Sequence, residues 1–147
     1  MEMTLRSILS GKPSKLHVVG LNDTVREAVR IMVAGDVGSV LVMDEGGLRG
    51  LFTERDLMRR VVAEGRDPGH LLVEDVMTRE IVTVSPDITI SQAMALCTER
   101  RIRHLPIYDG ETLMGMVSAG DLTKAVVQDK QHTIDDLISY IYGGETI

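Results

Sequence analysis

Gly50-Leu51-Phe52-Thr53-Glu54-Arg55-Asp56 has a twin sixty-five residues on, Gly115-Met116-Val117-Ser118-Ala119-Gly120-Asp121, with glycine, hydroxyl residue and aspartate at the same spacing. In each copy an apolar, β-branched or aromatic run adjoins the glycine, as in a strand. A helical pattern follows the aspartate: Leu57, Val61 and Val62 in one copy, Leu122, Val126 and Val127 in the other. The hydroxyl residue is thus expected where a strand ends and a helix begins. Two chemistries fit that place. As a capping box, Thr53 or Ser118 accepts the backbone N–H three residues on and the aspartate reaches back. As a nucleotide seat, the free amides and the positive helix end draw an anion. The hydroxyl then bonds a phosphate or sugar oxygen, and the carboxylate takes the two hydroxyls of a ribose. The two readings are compatible, and the surroundings of the motif decide whether it is more than a cap.

Those surroundings repeat as well. Val19–Val62 slides onto Val84–Val127 without a gap and gives ten identities in forty-four positions, among them Thr24/Thr89, Ala28/Ala93, Asp44/Asp109, Gly50/Gly115 and Asp56/Asp121. Apolar character is kept at Val25/Ile90, Ile31/Leu96, Val40/Leu105, Val42/Ile107 and Phe52/Val117. Identities and core positions agree, so the chain is an internal duplication.

Composition bounds the rest. A chain of 147 residues is one ordinary domain or two small ones sharing a core. It is 44% hydrophobic but has no Trp and one Phe, so its interior is aliphatic, with nine Met as gap fillers. A net charge of −6 argues against nucleic acid as partner, because that affinity comes from Lys and Arg on phosphates. Cys97 is the single cysteine and lies in a helical pattern, which points to a buried, inert thiol and leaves no disulfide or metal cluster. Met1–Leu9 lacks a signal-peptide pattern, and no apolar run approaches the roughly 20 residues that cross a bilayer. The expectation is a cytoplasmic protein with no membrane association.

In chain order, Thr4–Leu9 is a short apolar-periodic segment closed by Ser10-Gly11-Lys12-Pro13. Leu16–Val19 reads as a strand, Thr24 caps a helix that stops at Gly35-Asp36, and Ser39–Met43 and Leu48–Phe52 form a hairpin about Asp44–Gly47. A helix from Asp56 to about Glu64 ends at Gly65. After a linker, Val73–Thr78 parallels Leu5–Ser10, so the duplication includes the lead-in. The order then recurs: strand Ile81–Val84, helix Thr89–Arg100, strands His104–Tyr108 and Leu113–Val117, helix Gly120–Gln128. Each repeat is β-α-β-β-α. The tail places Ile134, Leu137, Ile138 and Ile141 on one helical face, flanked by Tyr140 and Tyr142. The fold class is α/β (α+β), two β-α-β-β-α repeats packed as a pseudo-two-fold pair with a C-terminal helix. Residues 1–66 form the first domain, 67–130 the second and 131–147 the tail.

Taken together, the repeat resembles the cystathionine β-synthase (CBS) domain, in tandem. The resemblance is carried by Val73–Thr78 (V-E-D-V-M-T), Val82–Asp87 (V-T-V-S-P-D), Ile102–Asp109 (I-R-H-L-P-I-Y-D) and the two G-x-x-[TS]-x-x-D motifs. It runs from about Leu5 to Val127, and the chain looks like a stand-alone pair with no catalytic or transport domain attached.

The resemblance implies a regulatory module that holds AMP, ADP, ATP or S-adenosylmethionine between its repeats, needs no cofactor, and signals to an effector protein that the sequence does not name. By position, Asp56 and Asp121 would bind ribose hydroxyls, and Thr53 and Ser118 ribose or phosphate oxygens. The backbone at Val18 and at Ile81, Val82 and Thr83 would meet the adenine edge, with Thr78 nearby and Pro106 in the adjoining core strand. Arg103 and His104 would reach a phosphate in the other repeat's cleft, where Gly38 and Ser39 hold the reciprocal places. That makes the clefts unequal, with the one containing Thr53 and Asp56 holding phosphate more tightly. Among Arg55, Arg59 and Arg60, Arg55 is expected to face the cleft. The tail stripe points to a homodimer. Two rivals are a structural dimerisation module with vestigial clefts and a sensor specific for S-adenosylmethionine. Catalysis by the Asp56/Asp121 pair is not expected, since the symmetry assigns them to separate clefts and neither has an activating neighbour.

Overall fold

The computed structural model of the chain describes residues 2–10 and 16–141; the expected break at Gly11-Lys12-Pro13, the side chain of Tyr140 and all of Tyr142 lie outside what is described. Two compact units form, one over Lys15–Val82 and one combining Met1–Ser14 with Thr83–Ile147. A unit is therefore not the same stretch as a repeat: each takes up the lead-in segment of the other repeat.

In the Lys15–Val82 unit, β1 (Val18–Gly20) runs parallel to β2 (Ser39–Asp44), and β2 pairs antiparallel with β3 (Gly47–Thr53), in the order β1-β2-β3. The hairpin turns through Glu45-Gly46 into Gly47, whose φ of 112° suits only glycine. Between β1 and β2 runs α2 (Val25–Gly35). It is capped by Thr24, whose hydroxyl accepts from Glu27 N, and buries Val25, Ala28 and Met32. These join Val40, Val42 and Phe52 of the sheet in a hydrophobic core that Leu71, Val73, Val76 and Met77 complete from the lead-in. The chain leaves β3 through a short helix, α3 (Glu54–Asp56), that continues directly as a π-helical stretch, Leu57–Val62.

The second unit repeats this frame with α4 (Ile90–Arg100), β4 (His104–Asp109), β5 (Thr112–Ser118) and α5 (Ala119–Ile141). Even the irregularities recur. A bulge falls between Val42 and Met43 and again between Ile107 and Tyr108. Helices α2 and α4 both end on a non-glycine residue in the left-handed region, Asp36 at φ 52° and Arg101 at φ 54°. The lead-ins match as well. Leu5 N donates to Ile88 O and Arg6 N to Pro86 O, as Val73 N does to Asp23 O and Glu74 N to Leu21 O. The bridge Thr4–Thr89 answers Leu72–Thr24. Arg6 adds ion pairs to Asp87 and Asp109. Cys97 is buried in this unit, and burial pushes its thiol above the ordinary value.

Two expectations are corrected and one is refined. The strand at Ile81–Val84 shrinks to one bridge, Val84 to Ile107. In the first unit Leu41 N donates to His17 O at 2.9 Å, but the matching residue of β4 is Pro106, which has no N–H to continue the ladder. The lead-in Val73–Thr78 holds one helical turn, a 3₁₀ turn at Val73–Asp75, whereas its counterpart α1 (Leu5–Ser10) is α-helical. Val, Asp and Thr are poorer helix formers than the Leu and Arg of L-R-S-I-L-S. Finally, the helix after Asp121 and the tail helix are one element, the 23-residue α5. Nothing between Gln128 and Thr133 breaks a helix, since the segment holds neither Gly nor Pro.

Candidate functional site

Both strand-end motifs fold as capping boxes. Thr53 N donates to Asp56 Oδ2 at 3.0 Å while Asp56 N donates to the Thr53 hydroxyl at 3.2 Å. In the second unit Ser118 N donates to Asp121 Oδ2 at 2.9 Å and Asp121 N to the Ser118 hydroxyl at 3.1 Å. In each case the first helical amide is held by the residue just before the neighbouring strand, with Glu54 N donating to Gly38 O and Ala119 N to Arg103 O. A carboxylate and a hydroxyl are thereby held rigidly at a helix start, an arrangement suited to hydroxyl-bearing or anionic ligands.

The first seat carries more. Asp56 is only 4% exposed, and the Thr78 hydroxyl donates to both its oxygens, at 2.9 Å and 3.1 Å. Thr78 reaches it because the lead-in runs along β3, with Leu51 N donating to Thr78 O and Thr78 N to Leu51 O. Gly50 permits that approach: a Cβ there would stand 2.7 Å from both the Met77 sulfur and the Thr78 carbonyl oxygen. Arg60, four residues after Asp56, donates to the carbonyls of Val76 and Met77 and lies 3.8 Å from the carboxylate. A buried carboxylate needs such donors, since an uncompensated one is costly. Arg60, Thr78, Glu74, Asp75, Arg79 and Glu80 border a cavity of about 480 Å³ in this unit.

The expected site residues therefore fall into two groups. Thr53, Asp56 and Thr78 converge in the Lys15–Val82 unit. There Arg55 is exposed beside the cap, Val18 is 41% exposed on β1, and Ile81 and Val82 are half-buried. Ser118, Asp121, Arg103 and His104 come together in the other unit, where His104 pairs with Ser118 across β4 and β5. Arg103 and Thr83 are exposed, and Pro106 is buried. Among the first motif's arginines, Arg60 is the one placed on Asp56, and the signal for it was its i,i+4 spacing. Among the described residues, no cluster of His, Cys, Asp or Glu could hold a metal ion, and no helix is long and apolar enough to cross a membrane.

Known proteins agree with this frame. The CBS-domain family model matches residues 13–63 and 73–128. The mitochondrial CBS domain-containing protein CBSX3 of Arabidopsis thaliana is 39% identical over 84% of this chain, which spans 62% of that protein's length. The CBS domain-containing protein YhcV of Bacillus subtilis is 36% identical over 80% of this chain and 84% of its own. Among solved structures, a protein with CBS domains from Burkholderia ambifaria superposes with a TM-score of 0.83 at 39% identity, covering 86% of this chain and 96% of that one. A family of regulatory, ligand-binding modules is thus reached from the repeat, the fold and the comparisons alike, and this chain belongs to it as two CBS domains in tandem.

Proposed function

We propose that the chain is a sensor that binds AMP, ADP or ATP through its two strand-end seats and signals the occupancy to an effector protein. The observation that carries this reading is the doubled capping box, in which a carboxylate and a hydroxyl stand fixed at a helix start in each unit. Asp56 and Asp121 take the ribose hydroxyls, and Thr53 and Ser118 take sugar or phosphate oxygens. Pro106 supports a role for the backbone at Ile81–Thr83, because a strand without its ladder keeps an edge that adenine can use. Calorimetry with adenosine, AMP, ATP and S-adenosylmethionine tests the reading. Asp56→Asn and Asp121→Asn, which remove the charge and keep the shape, are each expected to weaken one seat about tenfold. Unchanged AMP affinity in the double variant overturns it.

A homodimer belongs to the same proposal. Val127, Ile134, Leu137 and Ile141 of α5 are each at least half exposed, and Ile138 is 39% exposed, an apolar stripe costly to leave in water. Hexameric assembly is recorded for a cyanobacterial CBS-CP12 protein that superposes at a TM-score of 0.74 with 26% identity, over 84% of this chain and 71% of that one. Light scattering on the full chain is expected to give a dimer, and a monomer refutes it.

A further inference from the structure

The carboxylate assigned above to a ligand's diol already holds a partner. We infer that Thr78 is a latch whose hydroxyl competes with the ligand for Asp56, so that filling this seat and releasing Met77–Thr78 from β3 are one event. The inference rests on the nucleotide reading of Asp56. A carboxylate offers about four acceptor positions. Here Oδ2 takes the Thr53 amide and shares the Thr78 hydroxyl with Oδ1, and Arg60 stands on the Oδ1 side. With Asp56 only 4% exposed, a diol reaches both oxygens only by taking the place of Thr78. Besides the buried Met77 side chain and Met77 N on Val73 O, the latch is held by one pair of backbone bonds to Leu51 and the Arg60 contacts to the two preceding carbonyls. The adjoining cavity of about 480 Å³ gives the released segment room to move. At the matching position of the other unit, Ser10 is exposed and donates its hydroxyl to Ser7 O at 3.0 Å.

The test uses the full chain in two arms. Without ligand, Thr78→Val is expected to speed amide exchange at Leu51 and Thr78 at least about tenfold while the Val25 amide is unchanged, since a charge-assisted bond is lost. Thr78→Ser keeps the donor and is expected to behave as the parent. Equal exchange in all three overturns the latch, whatever binds. In an Asp121→Asn background, where heat reports the Asp56 seat, Thr78→Val is expected to tighten adenosine and AMP alike by about tenfold, and saturating AMP to deprotect the Thr78 amide in the parent. Unchanged or weaker binding in Thr78→Val, or a Thr78 amide still protected at saturation, overturns the competition. AMP binding in none of the variants overturns the nucleotide reading and the competition with it, with the exchange arm still deciding whether Thr78 holds the segment.

Discussion

At Asp56 and at Asp121 the same two hydrogen bonds tie a carboxylate to a strand end, 3.0 Å and 3.2 Å in one unit, 2.9 Å and 3.1 Å in the other. Beyond the cap they part. Asp56 also receives Thr78 and lies beside Arg60, whereas position 125, the match for Arg60, is alanine, and Ser10, the match for Thr78, turns its hydroxyl to its own helix. The duplication thus kept the cap itself and let the residues at the positions of Arg60 and Thr78 differ. A seat can keep its geometry while the free energy of entering it is reset from another part of the chain.

The largest expected effect comes from removing each carboxylate. Asp56→Ala strips the acceptor from a half-buried amide, a half-buried hydroxyl and a neighbouring guanidinium, and is expected to cost on the order of 3 kcal/mol. Asp121→Ala removes a half-exposed cap and is expected to cost about 1 kcal/mol. Urea unfolding of the two variants compares them, and equal losses would break the contrast. Next is Gly50→Ala. The new methyl meets the Thr78 carbonyl oxygen, and only a shift of that segment's backbone accommodates it, so roughly 2 kcal/mol is expected, read in the same titration.

How much of this was legible follows the same division. The duplication and both caps are local in sequence or fixed in offset, and residues such as Thr24/Thr89 and Asp56/Asp121 announced them. The Thr78 contact joins residues 22 positions apart through a lead-in that packs on the other repeat, and no periodicity reports that. Arg60 was visible at i+4, but a charge on an exposed helix face reads equally well as solvated. Helix α5 was split because the apolar pattern lapses over 129–132, although no residue there stops a helix. Pro106 was read as core, which it is; its missing N–H was the part that shortened a strand.

Where the halves agree, substitutions are expected to agree. Asp36 and Arg101 both hold left-handed backbone at a helix end. Replacing either with glycine relieves the Cβ strain, less the entropy glycine adds to the unfolded chain, for a gain of about 0.5–1 kcal/mol in each case. Thermal unfolding of Asp36→Gly and Arg101→Gly checks this, and unequal shifts would mean the two units differ beyond their seats.

The smallest expected change in stability tests the cause of the shortened strand. Pro106→Ala supplies the N–H that Leu41 uses in the first unit, where it donates to His17 O at 2.9 Å. A new backbone bond is worth about 1 kcal/mol, but losing proline's restriction of the unfolded chain takes back a similar amount. Net stability is therefore expected to stay within about 0.5 kcal/mol, and the informative readout is amide exchange at residue 106. Slow exchange there means the ladder has gained a rung and the second unit has moved toward the first. If the edge left unpaired by proline is what adenine meets, the same variant is expected to weaken AMP by several-fold at the Ser118/Asp121 seat and to leave the Asp56 seat unaltered. A fast-exchanging amide at 106 would show that the strand ends early for a reason other than proline, and unchanged AMP binding beside a protected amide would remove the edge from the ligand's contacts.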